Sequence, residues 1–164
     1  MNRDRLRVSG IGSISHGVFI PNGLHLIEAG PYLPQVMELM QRSWAVRSNG
    51  GPLDACLLAA GMVEIWFEPK LEVWDLAAPK LIMEKAGGEF FALDGSRRID
   101  RGTALACAPG VSLAVCEAFG IVPALATGKS EKRRRMTCSG GCHGFVFDLR
   151  SLEVLDLKAR ESPQ

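Results

Sequence analysis

No stretch of this 164-residue chain stays apolar long enough to cross a bilayer. Its opening, Met-Asn-Arg-Asp-Arg-Leu-Arg, also lacks the apolar core of a secretory leader. The expectation is a cytoplasmic protein with no membrane partner. Charge of one sign is not in excess either. A formal net charge of +1 provides no bulk attraction to nucleic acid or anionic lipid, and no nucleic-acid partner is expected. A disulfide framework is missing as well: five cysteines are an odd number without framework spacing, which points to reduced thiols. Nor is the composition that of a disordered chain, because 47% of residues are hydrophobic and 23% charged. What remains is a globular protein, long enough to bury a genuine core.

The apolar pattern changes period repeatedly along the chain. Residues 5–9 alternate like a short half-buried strand, and Val18-Phe-Ile20 runs into the turn signal Pro21-Asn22-Gly23. Leu33, Val36, Met37 and Met40 carry the spacing of an amphipathic helix. Residues 44–47 suggest a strand entering the loop Ser48-Asn-Gly-Gly-Pro52. Leu53 to Gly61, rich in alanine, predicts a closely packed helix closed by its glycine. Val63 to Phe67 alternates as a strand, Asp75 to Ala86 predicts a helix stopped by Gly87-Gly88, and Glu89 to Leu93 a further strand. Thr103 to Ala108 and Val111 to Phe119 complete the series as strand and helix. Alternating elements of this kind imply an α/β fold, a mixed β-sheet with helices packed on it.

Near Thr127 the texture shifts. Residues 129–164 hold eight Lys/Arg against five Asp/Glu, while residues 1–128 hold eleven against thirteen. Two regions follow: residues 1–124, and a basic hinge and tail over 125–164. Within the tail, residues 144–149 and 152–157 flank Arg150-Ser151 as a plausible hairpin, marginal alone in water.

One group of motifs carries chemistry. It comprises Arg47-Ser-Asn-Gly-Gly51, a helix ending Ala59-Ala60-Gly61, the acidic Glu68, Trp74-Asp75-Leu-Ala-Ala78 and Gly87-Gly88. Together they resemble the C-terminal half of the inositol monophosphatase superfamily, Mg²⁺-dependent phosphatases of small phosphomonoesters, over roughly residues 5–122. Glu68-Pro-Lys-Leu-Glu-Val-Trp-Asp75 and Phe91-Ala-Leu-Asp-Gly95 look most like the histidinol-phosphatase branch. The resemblance implies that Asp75 matches a metal-ligating aspartate, a hard oxygen donor suited to Mg²⁺. It implies that Glu68 matches a residue bonding substrate hydroxyls or amine, and that the Gly50-Gly51 backbone contacts substrate. From spacing alone, Asp75 is better read as a helix cap and Glu68 as a solvated loop charge; the resemblance tips Asp75 towards the metal position and leaves Glu68 nearly even.

Departures from the family pattern bear on activity. The first-half carboxylates, a helix-borne Glu and an Asp-Pro-Ile-Asp-Gly-Thr motif, have no counterpart here; Ala92-Leu-Asp-Gly-Ser96 falls where the family has a turn. Two-metal hydrolysis needs several carboxylates to hold cations about 3.5–4 Å apart, so Mg²⁺ binding by the isolated chain is expected to be weak or absent. No residue is assigned a catalytic role. Pro52 stands where the family uses a backbone N–H, which proline lacks, and Lys85 where it has a Glu. Pro79 is expected within about the first turn of its helix, where proline is tolerated.

The resulting expectation is a truncated, inositol-monophosphatase-like protein, non-catalytic alone and serving as a binding or dimerisation module. The alternative is a Mg²⁺-dependent phosphomonoesterase, of histidinol phosphate or inositol phosphate type, completed by another chain. A homodimer covering the face that a first half would occupy is the expected assembly, with a small phosphomonoester as ligand. In the tail, Cys138, Cys142 and His143 miss the haem-attachment spacing by one residue and lack partners for a four-ligand zinc site, so chance occurrence outweighs a metal site. Lys132 to Arg135 suits a solvated hinge better than a nucleic-acid contact.

Overall fold

Five strands form one sheet in the order β2-β1-β3-β5-β4 in the computed structural model, which describes residues 5–122, 145–148 and 153–156. They are β1 (Val18–Pro21), β2 (Ala45–Val46), β3 (Ile65–Glu68), β4 (Glu89–Phe91) and β5 (Ala104–Cys107). β1 pairs in parallel with β2 and β3, whereas β5 runs antiparallel to both β3 and β4. The α-helices among the described residues are α1 (Leu24–Ala29), α2 (Leu33–Arg42), α3 (Pro52–Ala59), α4 (Val73–Lys85) and α5 (Pro109–Phe119).

Both sheet faces are covered. Phe19, Ile65, Phe67, Phe91 and Leu105 pack under α1, α2 and α5 through Ile27, Val36, Leu39, Val111 and Val115. On the opposite face Ile20, Trp66, Phe90, Ala104 and Ala106 meet α3 and α4 through Ala55, Leu58, Ala59, Leu76 and Met83. A sheet sandwiched in this way needs apolar residues on both sides of its strands, so β3 and β5 are buried at every position. For the same reason the small residues of α3 are useful. Ala55 and Ala59 let that helix lie close against the sheet while it packs along α4.

The mixed α/β architecture follows the sequence pattern, with several local corrections. Residues 5–9 form no strand; a hydrogen bond from Val8 N to Ala86 O (3.1 Å) ties that segment to the end of α4. It lies so close to Gly61 that a Cβ there would stand 2.8 Å from Arg7 O, and Gly61 also has φ +73°. The alternation of 63–67 does not turn Glu64 outward: the side chain is buried and its Oε2 accepts a hydrogen bond from Val18 N at 2.6 Å. The short helix α1 lies where only the turn signal Pro21-Asn22-Gly23 was legible, and it starts from Gly23 in the left-handed region. α4 begins two residues before Asp75, at Val73, so Pro79 is its seventh residue rather than part of the first turn. A proline there cannot donate the i→i−4 bond to the Asp75 carbonyl.

The chain divides into a unit of residues 1–125 and a second of 126–164. In the second, β6 (Phe145–Asp148) and β7 (Glu153–Asp156) pair antiparallel, Phe145 opposite Asp156 and Asp148 opposite Glu153. Cys138, Cys142, His143 and the Lys132–Arg135 run lie outside the described residues.

Candidate functional site

The carboxyl ends of three parallel strands converge on one polar cluster. Ser48 follows β2, Asn22 follows β1 and Glu68 ends β3, while Asp54 comes from the first turn of α3. This placement is that of ligand sites in open α/β sheets, which lie beyond the carboxyl ends of the parallel strands.

The cluster is buried and closely hydrogen-bonded. Asp54 is 0%, Asn22 4% and Glu68 7% exposed. The Asn22 side-chain amide donates to both acids, 2.7 Å to Asp54 Oδ2 and 2.7 Å to Glu68 Oε1. Ser48 Oγ donates to Asn22 Oδ1 (2.7 Å), which orients the amide so that its nitrogen faces the carboxylates. Asp54 accepts two further bonds, from Asn49 Nδ2 (2.9 Å) and from the backbone N–H of Gly50 (2.9 Å). Buried acids need such partners, since an unpaired buried charge carries a heavy desolvation cost.

Burial is the main influence on Glu68 and pushes its pKa up. The hydrogen bond from Asn22 and the Trp66 indole pull it back, and the charges of Asp54 and Asp75 add to the rise. The Trp66 indole N–H, two residues earlier on the same strand face, is buried without a well-formed hydrogen bond.

The four residues expected from the sequence take different places. Glu68 is no solvated loop charge; it closes a fully buried strand and joins the network. Gly50 turns its N–H inward to Asp54, so that amide is engaged within the protein. Gly51, the N-cap of α3, has φ +66° and ψ −155°, a conformation open to glycine, and its N–H donates to nothing among the described residues. Asp75 is exposed at the third position of α4, where its Oδ2 accepts a 3.2 Å bond from Glu72 N and Glu72 caps in return. That is a capping box, so the geometry of Asp75 is that of a cap. Ala92 to Ser96 forms a turn in which Asp94 Oδ1 accepts from Ser96 N and Oδ2 pairs with Arg101 Nε at 2.9 Å.

Asn22, Ser48 and Asp54 were not singled out from the sequence. Asn22 reads there as a turn residue, and Asp54 is hidden in an apolar helix; only the parallel pairing of β1 with β2 and β3 brings them together. Among the described residues no group of three or more His, Cys, Asp or Glu side chains is arranged to hold a metal ion. Asp75 alone does not suit Mg²⁺, which demands octahedral oxygen coordination and releases water reluctantly. No helix among the described residues is long and apolar enough to cross a membrane.

Residues 7–122 match the inositol monophosphatase family. The chain is similar to a histidinol-phosphatase of Streptomyces coelicolor, 34% identical over 91 residues that cover 56% of this chain and 34% of that one. The fold superposes on the extragenic suppressor protein SuhB of Bartonella henselae with a TM-score of 0.66 and 28% identity, over 72% of this chain and 47% of that one. It superposes on an inositol monophosphatase from Anabaena with a TM-score of 0.65 and 25% identity, over 76% and 51%. The chain thus spans about half the length of these solved structures, and the aligned part is a third of the histidinol-phosphatase.

Proposed function

The chain belongs to the inositol monophosphatase family, and from that premise we propose that it is a phosphatase-like half-fold that recognises a small phosphomonoester without assembling a two-metal hydrolytic centre by itself. The observation that carries this reading is an asymmetry between the two parts of a phosphatase site. The residues that the family resemblance associates with recognition are tied together within the chain: Glu68 is held by Asn22, and the Ser48–Gly51 loop by Asn22 and Asp54, although Pro52 has no N–H to offer a ligand. The metal part is represented by Asp75, a single exposed carboxylate engaged with the N-terminus of its own helix.

In this reading the N–H of Gly51, at the N-terminus of α3, faces the anionic part of the ligand, where a free helix N–H favours negative charge; Pro52 has no N–H to add and that of Asp54 bonds Gly51 O. Glu68 accepts from the ligand's hydroxyl or amine. Mg²⁺ would supply charge neutralisation and an activated water, but the described donors are too few to hold it, and no hydrolytic step is assigned to these residues.

A second reading is favoured by the fraction of relatives covered. A chain that matches about half of the solved structures can act as a Mg²⁺-dependent phosphomonoesterase if carboxylates from elsewhere complete the centre. The names of the relatives, histidinol-phosphatase and inositol monophosphatase, set the substrates to try.

One assay separates the two. The full 164-residue chain is incubated with Mg²⁺ and histidinol phosphate or inositol 1-phosphate, beside Asp75→Asn, and phosphate release is followed. We expect no Mg²⁺-dependent turnover, together with ligand binding measurable by calorimetry. Turnover abolished by Asp75→Asn overturns the first reading in favour of the second.

A further inference from the structure

We infer that Asn22 is the positioning residue of this site, a single amide that locks the Ser48–Gly51 loop and Glu68 into one unit. The assignment rests on the reading of Glu68 as the ligand-facing carboxylate, but its geometry stands independently. Among the described residues, Asn22 is the one bonded to both halves of the cluster. It donates to Glu68 Oε1 and to Asp54 Oδ2, both at 2.7 Å, and accepts from Ser48 Oγ at 2.7 Å. Asp54 in turn holds Asn49 and the Gly50 amide. A movement of the loop therefore reaches Glu68 through one side chain.

The chemistry explains why an amide stands there. Two buried carboxylates so placed repel each other, and a neutral NH₂ group has two hydrogens to share, one for each. A lysine or arginine would bring a charge that a ligand amine or metal would then have to compete with. With Asn22 the cluster keeps its net negative character, and Glu68 keeps its Oε2 for another donor. Ser48 removes the remaining ambiguity, because its hydroxyl engages the Asn22 oxygen and the amide cannot rotate without losing all three bonds.

The groups that act on Glu68 are few. Asp54 on α3 and Asp75 on α4 are its charged neighbours, and both raise its pKa. β1 presents Asn22, β5 places Ala104 opposite it, and Trp66 supplies the indole N–H. Among these, Asn22 is the donor with a formed hydrogen bond to the carboxylate.

The test uses carbon-detected NMR titration of the Glu68 carboxyl in the full chain, in wild type, Asn22→Leu and Ser48→Ala. Loss of the amide is expected to move the Glu68 midpoint upward by about one pH unit or more, a tenfold change in proton affinity. Ser48→Ala, which leaves both carboxylates and Asn22 in place, is expected to move it in the same direction by less, with a lower unfolding temperature because the buried Asn22 Oδ1 loses its donor. Ser48→Ala decides the matter if Asn22→Leu does not fold. A Glu68 midpoint that stays at its wild-type value in the folded variants overturns the assignment. Calorimetric binding of inositol 1-phosphate across the same pH series separates this from the functional reading. If the wild-type chain binds no phosphomonoester while the Glu68 titration shifts as expected, the ligand reading fails and the role of Asn22 stands.

Discussion

Glu68 is the residue at which burial and hydrogen bonding oppose each other, and burial prevails. Its folded-state pKa is raised, so the folded protein still holds this proton at pH values where the unfolded chain has released it. Stability from this group is fully present below the ordinary glutamate range and is lost as pH climbs through the raised value. Glu68→Gln keeps the Oε1 acceptor for Asn22 and removes the charge. The variant is expected to unfold at higher urea than wild type at neutral pH and to lose that downward slope; an unchanged slope across a pH series of urea melts contradicts it. Asp54 is a wholly buried acid with three donors already in place. Asp54→Ala leaves Asn22, Asn49 and the Gly50 amide without their acceptor and is expected to cost about 3 kcal/mol or more. The measurement is the urea midpoint at constant slope.

At the scale of elements, close approach rather than propensity decides several features. The N-terminus of α5 rests against Ile11–Gly12 so tightly that a Cβ on Gly110 would stand 2.4 Å from Ile11 O. Both partners are backbone, so neither can rotate away. Gly110→Ala is expected to destabilise the protein by about 1–3 kcal/mol through overpacking, visible as a lower thermal midpoint. Gly120→Ala serves as a control of different origin: it has open space around it but φ +64°, so its cost is conformational. α4 shows the same priority of packing over local preference. Pro79 lies in its second turn and is buried despite the missing N–H. The Glu72–Asp75 capping box stabilises the start of that helix.

At the scale of the whole molecule, large apolar side chains remain at the surface. Trp44 is 70% and Trp74 75% exposed, and Leu24, Leu53, Met62 and Leu113 each exceed half. Single exposed apolar residues are ordinary, but two tryptophans on a chain that spans half of its solved relatives fit a surface with a partner. We propose a homodimer, and sedimentation equilibrium is expected to give twice the 17.8 kDa chain mass. A clean monomer overturns it.

Much of the fold was legible in the sequence because it depends on local pattern. Amphipathic spacing over Leu33–Met40, small residues in α3 and the Gly-Gly stop after α4 each act within a few residues of chain, and the motifs from Arg47 to Gly88 carry the family. Element edges were less legible. The start of α4 depends on Glu72 reaching Asp75, and the loss of a strand at 5–9 depends on docking against Ala86 and Gly61. Of the polar cluster, Glu68 and Gly50 were legible through the family motifs, whereas Asn22, Ser48 and Asp54 were not. Asn22, Ser48, Asp54 and Glu68 are separated by up to 46 positions, and only a sheet that sets β2, β1 and β3 side by side brings their ends together. Composition and periodicity, which are properties of neighbours in the chain, determined the class of fold. Hydrogen bonds and burial, which are properties of neighbours in space, decided that Glu68 is held inside the protein while Asp75 stays at its surface.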